Sequence, residues 1–571
     1  MTGSMNVDMT VAQYVVRQMS AWGIDTVFGV PGDTVLPLLE ALRAAGRPRF
    51  IVCRHEGSAA LMASAYGKVS GKPAAVVADS GPGAVQMLNG VYDAHMDRVP
   101  LLAITGELPT RRPGAHWPQD ADLAALYREA TVFNHTLTDG GHAPRIFSQA
   151  LRHAMFRARP VRIGVPQNVW THTVPAGKLT ERPAELGATV RTDERAVERA
   201  AAMVEEADYP VLVAGIGAAQ AVEPLLDLAG RLEAPVVHSM PALGLLPADH
   251  PWNMGVVGKF GTQAAAEVLG RADLVVAVGT TWWQPEYVSA RARVIQIDKT
   301  RDHIGLTFPV DLGVWGDAAD VLPRLAQRLG EKRSRWGDTA RRVRQELRDE
   351  VERMSADRRH PLQPGAVIAA VGRALVPDAI VSLDVGNHTF WFSRYHRADK
   401  YKLILSGHWR TVGFGLPGGI GAKLAAPERQ VVVVCGDGGF AMTMAELTTA
   451  VQYGLPIACI VLRDGRYGEE ETLQKAVGAQ PFGTGFHNAD WAAYARACGA
   501  AGYRVETYED LMWSLHDALP KLAQGQVSVL DVAVDRVEPM FPRPYGGTED
   551  EAGEWREDEL TKRLREPVPV G

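Results

Sequence analysis

The stretch from Val431 to Gly468 constrains the fold of this chain more than any other. It reads VVVVCGDGGFAMTMAELTTAVQYGLPIACIVLRDGRYG. Four consecutive valines and a cysteine predict a strand that is buried on both faces, and Ile457 to Leu462 predict a second. An apolar periodic segment from Met442 to Val451 predicts the helix between them. A strand, a helix and another strand in this order predict a parallel sheet flanked by helices.

Two carboxylates follow the two strands of this stretch. Asp437 and Asp464 each come directly after a predicted strand, with glycines beside them. Ligands bind at this edge of an open parallel sheet. The backbone N–H groups of Gly438 and Gly439 would face an anion at the helix N-terminus, and two carboxylates could hold Mg²⁺ against a diphosphate. The stretch therefore predicts a site for a metal–diphosphate cofactor.

The composition limits the class of protein. The chain has 571 residues, 46% of them hydrophobic, and a net charge of −6. This charge gives no reason to expect nucleic acid as a partner. The four cysteines are scattered, and three lie in apolar runs, which predicts reduced thiols and a cytoplasmic setting. No apolar run approaches the ~18 residues of a membrane span, and the first ten residues lack the pattern of a signal peptide.

Strands that alternate with helices recur in three segments. They predict an α/β protein with three doubly wound parallel-sheet domains, at residues 1–178, 190–330 and 361–538. Residues 331–360 are dense in arginine, glutamate and aspartate and predict a solvated helical linker. Residues 539–571 predict a polar tail without fixed structure.

Four short motifs carry a resemblance to a known family. They are RHEG at Arg54 to Gly57, SGPGA at Ser80 to Ala84, GFGLP at Gly413 to Pro417, and GDGGF at Gly436 to Phe440. In this order the chain resembles the thiamine diphosphate enzymes of the acetolactate synthase and pyruvate oxidase group, over roughly residues 8 to 536. The resemblance implies that the first domain binds the pyrimidine ring of the cofactor and the third its diphosphate.

The resemblance also implies roles for single residues. Glu56 would hydrogen-bond the aminopyrimidine ring and promote its proton transfer, whereas an isolated glutamate here would be an ordinary acid at a helix start. Gln119 would face the active site. Cofactor contacts are implied for Pro31, Gly32, Pro82, Gln86, Asn387, His388, Arg410, Val412, Gly436, Asp437, Gly438, Gly439, Phe440, Asp464 and Gly468.

The metal site implied by the resemblance departs from the usual pattern. Asp437, Asp464 and the backbone carbonyl of Arg466 would bind Mg²⁺. The family usually has a pair of asparagines where this chain has Arg463-Asp464. A carboxylate oxygen can replace an amide oxygen on Mg²⁺. The alternative is that Asp464 is only a turn residue.

Three consecutive glutamates follow this loop. Glu470 falls where pyruvate decarboxylases place an active-site glutamate, so it is a candidate catalytic residue that would affect the fate of the bound acyl group. The alternative is a solvated first turn of a helix, where acidic residues are favoured.

The middle domain raises the question of a flavin. GVVGKFGT (Gly255 to Thr262), AVGTTWW (Ala277 to Trp283) and IQID (Ile295 to Asp298) look like segments that contact FAD in pyruvate oxidases and acetolactate synthases. Glycine turns at strand ends let a backbone approach a pyrophosphate. Middle domains without flavin have similar turns, so FAD remains a possible second cofactor.

The resemblance implies decarboxylation of a 2-oxo acid. The first expectation is an acetolactate synthase-like carboligase that transfers the acyl carbanion to a carbonyl acceptor. The alternatives are FAD-linked pyruvate oxidation, non-oxidative decarboxylation, and a silent partner subunit. The family also implies a homodimer or homotetramer with active sites between subunits. The 2-oxo acid and the acceptor stay open.

Overall fold

The structure is a computed structural model that describes residues 9–112, 114, 116–174, 179–181, 191–330, 333–396 and 399–544. The predicted end of the first domain near Pro175 and the predicted tail beyond residue 544 lie outside the described residues. Within the described part of the chain, no helix is long and apolar enough to cross a membrane.

The first unit is a six-stranded parallel sheet in the order β3-β2-β4-β5-β7-β6, with β1 and β8 paired beside it. Helices cover both faces, as predicted. Its elements are β1 (Met9–Thr10), α1 (Val11–Ala21), β2 (Thr26–Gly29), α2 (Leu36–Ala45), β3 (Arg49–Val52), α3 (Glu56–Ser70), β4 (Ala74–Ala78), α4 (Pro82–Met96), β5 (Leu101–Glu107), α5 (Leu123–Leu126), β6 (Asn134–Thr136), α6 (Ala143–Arg157), β7 (Pro160–Pro166) and β8 (Thr173–Val174).

The middle unit has the same kind of sheet, in the order β11-β10-β9-β12-β13-β14. The sequence did not indicate its two edge strands, β11 and β14. The elements are α7 (Glu194–Glu206), β9 (Pro210–Ala214), α8 (Val222–Leu232), β10 (Val236–His238), β11 (Asn253–Val256), α9 (Gln263–Arg271), β12 (Leu274–Val278), β13 (Arg293–Asp298), β14 (Leu312–Trp315), α10 (Ala318–Arg328) and α11 (Gly337–Ser355).

The third unit repeats the arrangement, in the order β16-β15-β17-β18-β20-β19. Three doubly wound parallel sheets therefore confirm the predicted fold class. Its elements are α12 (Pro364–Ala374), β15 (Ile380–Leu383), α13 (Asn387–Tyr395), β16 (Lys402–Leu405), α14 (Gly415–Ala425), β17 (Val431–Gly436), α15 (Asp437–Thr443), α16 (Leu447–Gln452), β18 (Ala458–Arg463), α17 (Gly468–Ala476), α18 (Trp491–Ala497), β19 (Ala501–Val505), α19 (Tyr508–Lys521) and β20 (Ser528–Ala533).

The connection between β17 and β18 differs from the prediction. The helix begins already at Asp437 rather than near Met442, and a 3-10 turn at Met444–Glu446 separates α15 from α16. The break brings Glu446 against the first unit, where its Oε1 accepts hydrogen bonds from the backbone N–H groups of Arg54 and His55 at 3.0 and 3.1 Å. A long-range contact thus interrupts a helix that its local pattern would continue.

The predicted solvated linker at residues 331–360 contains α11, and one face of this helix is buried. Ala340, Val343 and Leu347 belong to the apolar core on one face of the middle sheet. The indole N–H of Trp336, just before the helix, donates to the backbone oxygen of Pro210 in β9 at 2.8 Å. The predicted helix is therefore present, and it is not solvated all round, since one face completes the core of the middle unit.

The first and third units share one apolar core. Its members include Phe28 and Ala60 of the first unit and Ile420 and Val433 of the third. Within it α3 and α14 pack closely, because a Cβ atom on Gly421 would lie 2.2 Å from the backbone oxygen of Met62. Glycine at this position allows the two helices to approach.

We predict that Gly421→Ala destabilises the protein by about 1–3 kcal/mol, because the added methyl group overpacks the contact between α3 and α14. The midpoint of thermal unfolding, followed by circular dichroism, checks this. Gly230→Ala is the matched control, since no atom lies within 4 Å of a Cβ there, on an exposed face of α8. It should stabilise by about 0.5–1 kcal/mol. Equal shifts in both variants would contradict the proposed packing role.

Candidate active site

The main cavity lies where the third sheet changes the direction of its connections. β15 and β17 are neighbours in the sheet. From β15 the chain continues to β16 on one side, and from β17 it continues to β18 on the other side. Such a point leaves a crevice at the carboxyl ends of the strands. A cavity of about 430 Å³ opens there, and residues 385–388 and 436–439, which follow the two strands, line it. The strand end at Gly436 and Asp437, where a ligand site was predicted, therefore lies in the wall of a cavity.

Glycines form one wall of this cavity. A Cβ atom on Gly438 would lie 2.7 Å from a ring carbon of Tyr467, and one on Gly439 would lie 2.6 Å from Oδ2 of Asp384. A Cβ atom on Gly468 would lie 2.7 Å from Nδ2 of Asn387. Side chains at these positions would displace their neighbours, so the backbone itself forms this wall. The N–H of Gly438 donates to Oδ1 of Asp437 at 2.8 Å. This wall fits the close approach of a phosphate group.

Two buried polar atoms on the opposite side have no hydrogen-bond partner among the described residues. They are Oδ1 of Asn387 and Nε2 of His388, at the start of α13. Burial lowers the pKa of His388 to about 4, so its ring is neutral at pH 7. Buried polar atoms without a partner are costly. Both residues line the cavity. Oδ1 of Asn387 is an acceptor, and Nε2 of the neutral His388 ring is another, because the ring already donates to the backbone of Asp384. These atoms therefore fit hydrogen-bond donors, such as the water molecules around a metal-bound diphosphate.

Asp437 and Asp464 lie together, as predicted. Oδ2 of Asp437 accepts the backbone N–H groups of Asp464 and Gly465 at 3.0 and 2.7 Å, and Nδ2 of Asn488 at 2.6 Å. Burial raises the pKa of Asp437, and the charge of Asp464 raises it further. Burial also raises the pKa of Asp464. Two carboxylates that are costly to ionise favour a cation between them.

Arg466 partly meets this need. Its Nε donates to Oδ2 of Asp464 at 2.9 Å and its Nη1 to Glu471 at 2.7 Å, while the buried Nη2 has no described partner. The described residues contain no group of three or more histidine, cysteine, aspartate or glutamate side chains that could hold a metal. Mg²⁺ commonly takes one or two carboxylates and completes its shell with phosphates and water. The donor set therefore fits Mg²⁺ bound together with a diphosphate.

Asp384 is a residue of this site that the sequence analysis did not single out. Its carboxylate is fully buried at the end of β15, and Oδ1 accepts the backbone N–H of Gly413 at 2.9 Å. Burial raises its pKa to about 6, against the lowering effect of these backbone hydrogen bonds. Asp384 thereby fixes the position of Val412, which lines the cavity. A buried aspartate at a strand end was the available signal.

Not every predicted cofactor contact reaches the cavity. Arg410, Gly436 and Gly468 line it, and so does Glu470, which is exposed at its rim. Phe440 does not: its ring is buried in the shared core and packs edge-to-face on Trp491 at 5.2 Å between centroids.

The predicted residues of the first unit gather at a second edge, between β2 and β4. A Cβ atom on Gly83 would lie 3.0 Å from Oε1 of Glu56, and Oε1 of Gln119 accepts the hydroxyl of Ser80 at 3.1 Å. Gly32 contacts Asp79, and Gln86 is adjacent to Gly57. Pro82, Gln86 and Gln119 are exposed, Glu56 is partly buried, and Pro31 and Gly32 lie at the same strand end.

This second edge is separate from the cavity within one chain. Among the described residues, every lining residue of the cavity comes from the middle or third unit. Large apolar side chains are exposed on both edges: Val85 and Trp117 near Glu56, and Val412 and Met442 near the cavity. One chain thus carries two separate half-sites with apolar surroundings.

The middle unit has its own switch point, between β9 and β12. Its glycine turns pack on each other, since a Cβ atom on Gly215 would lie 2.1 Å from the backbone oxygen of Gly279. The buried carboxylate of Asp298 accepts the N–H of Thr300 at 2.8 Å and lies 3.3 Å from His303. Positive charge is nearby, because burial and the guanidinium of Arg98 lower the pKa of His303, against the raising effect of Asp298.

Comparison with known protein families decides the relationship. The domain descriptions of the thiamine pyrophosphate enzymes match residues 9–126 (N-terminal TPP binding domain), 197–325 (central domain) and 384–532 (C-terminal TPP binding domain). The chain belongs to the thiamine pyrophosphate enzyme family. Thiamine pyrophosphate is another name for thiamine diphosphate, so the resemblance to thiamine diphosphate enzymes is confirmed. The two half-sites lie in the N-terminal and C-terminal TPP binding domains.

Individual relatives agree over nearly the whole chain. This thiamine pyrophosphate enzyme is 33% identical to the Bacillus subtilis (strain 168) protein YdaP, named as thiamine pyrophosphate-containing, over 93% of this chain and 92% of the relative. It is 31% identical to sulfoacetaldehyde acetyltransferase of Rhodobacter capsulatus (92% and 95%). It is 29% identical to pyruvate oxidase of Lactiplantibacillus plantarum (92% and 89%). The protein belongs to the group that includes these enzymes and the acetolactate synthases.

In this thiamine pyrophosphate enzyme, Asp384 should make stability depend on pH. Its pKa of about 6 lies above the ~3.9 of an unfolded aspartate, so the native state binds the proton more tightly. The stabilisation from Asp384 is therefore present below pH ~4 and is lost as the pH rises to about 6. Thermal midpoints of wild type and Asp384→Asn at pH 5 and 7.5 measure this. Wild type should gain stability over the variant at pH 5.

The control for this measurement is Asp338→Asn, since the Asp338 side chain is 98% exposed. Its difference from wild type should be the same at both pH values. A difference between wild type and Asp384→Asn that does not change with pH would show that the Asp384 proton is not linked to folding.

Proposed function

We propose that the protein binds thiamine diphosphate with Mg²⁺, decarboxylates a 2-oxo acid and transfers the remaining acyl group to a carbonyl acceptor. The observation that carries this proposal is the cavity of the third unit, where a glycine wall, two carboxylates and two unpartnered polar atoms meet. Relatives named for acetyl transfer and acetolactate synthesis support transfer over oxidation.

The third unit would hold the diphosphate and the metal. The backbone N–H groups of Gly438 and Gly439 would bind phosphate oxygens, with that of Gly438 exchanging its hydrogen bond to Oδ1 of Asp437. Nε2 of His388 would accept a hydrogen bond from water bound to the diphosphate. Asp437, Asp464 and the backbone carbonyl of Arg466 would bind Mg²⁺, and Arg466 would offset part of the charge of Asp464. When bound, thiamine diphosphate supplies the nucleophilic carbon and the electron sink that decarboxylation of a 2-oxo acid requires.

Glu56 would hold a proton at the far end of the cofactor. It is the first residue of α3 and lies beside Gly83, where the absence of a side chain leaves room for a ring. The hydrogen bonds from Arg54 and His55 to Glu446 fix the turn that precedes it. A fixed carboxyl group can exchange a proton with a ring nitrogen. Val412 would support the cofactor between its two ends.

A second copy of the chain would complete each active site. Glu56 and the cavity belong to separate edges of one chain, and both edges expose apolar side chains. Bringing the first unit of one copy onto the third unit of another would bury these side chains and join the half-sites. We therefore propose at least a homodimer with two active sites between the subunits, or a dimer of such dimers.

Glu470 and Gln119 would act on the acyl group. Glu470 lies at the rim of the cavity with an exposed side chain, where a carboxyl group can protonate a bound species or orient an acceptor. Protonation would release an aldehyde, which is the decarboxylase alternative. Gln119 lies on the other half-site, beside Ser80.

FAD is the cofactor that would favour the oxidase alternative. The glycine turns of the middle unit are explained by their packing on each other, and Asp298 already has hydrogen-bond partners. An argument for a bound anion comes from Arg98, whose buried Nε has no described partner. Visible flavin absorption in the purified protein would favour the oxidase, together with oxidation of pyruvate that needs an electron acceptor such as dioxygen but no carbonyl acceptor.

The proposed function predicts CO₂ release that depends on thiamine diphosphate and Mg²⁺. A panel of 2-oxo acids with and without aldehyde acceptors, analysed by mass spectrometry, should yield a 2-hydroxyketone or a 2-hydroxy-2-methyl-3-oxo acid. Glu56→Gln should retain cofactor binding and lose turnover by about 10²–10⁴-fold, because the proton at the ring nitrogen is no longer exchanged. No CO₂ from any 2-oxo acid would favour a silent partner subunit.

The metal assignment predicts a second result. Asp464→Ala should weaken binding of thiamine diphosphate at fixed Mg²⁺ by about 100-fold, because one of two carboxylate ligands is lost. Asp464→Asn should lose no more than about 10-fold, since the amide keeps an oxygen ligand. Calorimetric titration measures the affinity, and far-ultraviolet circular dichroism checks the fold. Unchanged affinity in Asp464→Ala would refute the ligand role.

A further inference from the structure

Arg410 has a backbone conformation that its side chain does not favour. Its φ is +55°, in the left-handed region, within the segment between β16 and α14. A residue with a Cβ atom loses roughly 1–2 kcal/mol there relative to glycine. Of the described non-glycine residues with positive φ, Arg410 is the one that lines the cavity.

The segment around Arg410 is held from both sides. The indole N–H of Trp409 donates to Asn89 at 2.8 Å, and its ring stacks on Tyr92 at 4.6 Å between centroids. Asn89 also donates to the hydroxyl of Thr411 at 3.0 Å. These contacts with α4 impose the backbone conformation. They do not require an arginine at position 410, so the side chain needs its own explanation.

The guanidinium of Arg410 lies on a platform at the cavity wall. Its central carbon is 4.2 Å from the ring centroid of Phe260, in a loop of the middle unit. This loop is fixed, because Arg394 of α13 donates to the backbone oxygen of Gly261 at 2.6 Å. A planar cation over an aromatic face is held in one orientation and keeps its edges available for hydrogen bonds.

Two cations share one buried carboxylate here. Nη2 of Arg410 donates to Oε1 of Glu469 at 3.1 Å, and Nζ of Lys259 lies 4.0 Å from the same oxygen. Burial raises the pKa of Glu469, while Arg410 and Lys259 lower it. Arg410 makes one side-chain hydrogen bond to the described residues, although a guanidinium has five N–H donors. The guanidinium of Arg410 therefore has N–H donors left, and Arg410 and Lys259 together carry one more positive charge than Glu469 neutralises.

We propose that Arg410 determines specificity by binding a second anionic group of a substrate, on the donor's side chain or on the acceptor. This inference rests on the proposed function. The carboxylate that leaves as CO₂ is not the partner, because a guanidinium paired with it would stabilise the ground state and slow its loss. The substrate class is thus a 2-oxo acid with a remote carboxylate, or an aldehyde with a carboxylate or sulfonate.

Matched substrate pairs distinguish the two sources of the anion. For the donor, 2-oxoglutarate is compared with 2-oxopentanoate, which has the same chain length without the second carboxylate. For the acceptor, succinic semialdehyde is compared with butanal. In wild type the member with the additional carboxylate, in one of the two pairs, should have the lower KM. Arg410→Gly should raise that KM by about 10–100-fold with a smaller change in kcat, and Arg410→Lys should lie between, because it keeps the charge but not the two-pronged contact.

Lys400→Gly is the control for backbone strain. Lys400 is exposed, has a φ of +53°, and does not line the cavity. Both glycine variants should raise the midpoint of thermal unfolding. Only Arg410→Gly should change the KM of the substrate that carries the additional carboxylate. Equal effects of Arg410→Gly on both members of both pairs would overturn the proposal.

A binding measurement separates this inference from the proposed function. Glutarate and pentanoate are added to the protein loaded with thiamine diphosphate and Mg²⁺, and thermal midpoints are compared. Glutarate should stabilise wild type more than pentanoate does, and this advantage should disappear in Arg410→Gly. If wild type turned over no substrate but kept the advantage, the proposed function would fail and the anion site would stand. If turnover were present without the advantage, the anion site would fail.

Discussion

The cavity depends on one geometric constraint of parallel sheets. Where neighbouring strands send their connections in different directions, the carboxyl ends of the strands are left uncovered. In the third unit this happens between β15 and β17, and the chain after each strand contributes one wall. The glycines after β17 form a wall without side chains, and Asn387 and His388 after β15 offer unpartnered acceptor atoms. The same constraint places Glu56 and Gln119 at the edge of the first sheet.

Buried acidic groups dominate the electrostatics of this region. Burial raises the pKa of Asp384, Asp437, Asp464 and Glu469, so each is costly to ionise without a cation or a set of N–H donors. Asp437 accepts two backbone N–H groups and the side-chain amide of Asn488. Asp384 uses backbone N–H groups, Asp464 uses Arg466, and Glu469 uses cations from two units of the chain. A divalent metal would neutralise the negative charge that remains on Asp437 and Asp464.

The sequence predicted what depends on local pattern. Valine runs and glycine turns predicted the parallel sheets, and Asp437 and Asp464 were correctly placed at one edge. Contacts between residues that are far apart in the sequence could not be predicted from local pattern. The helix break at Glu446 exists because its carboxylate binds backbone N–H groups nearly four hundred residues earlier. Lys259 reaches the cavity only because a loop of the middle unit packs on α13. The edge strands β11 and β14 are four residues each, too short for a clear period.

The shared apolar core has a consequence for dissecting the molecule. Three sheets can be counted, but the helices α3 and α14 bury their apolar faces against each other, across the first and third units. A fragment cut before the middle unit would expose Ala60 and Met62 to water, and the remaining piece would expose Ile420. Exchange of segments with a relative should therefore move the first and third units together. The middle unit has two cores of its own, but it also adds Leu243 and Val256 to the core of the third unit, so its contacts with α13 would have to be kept in any exchange.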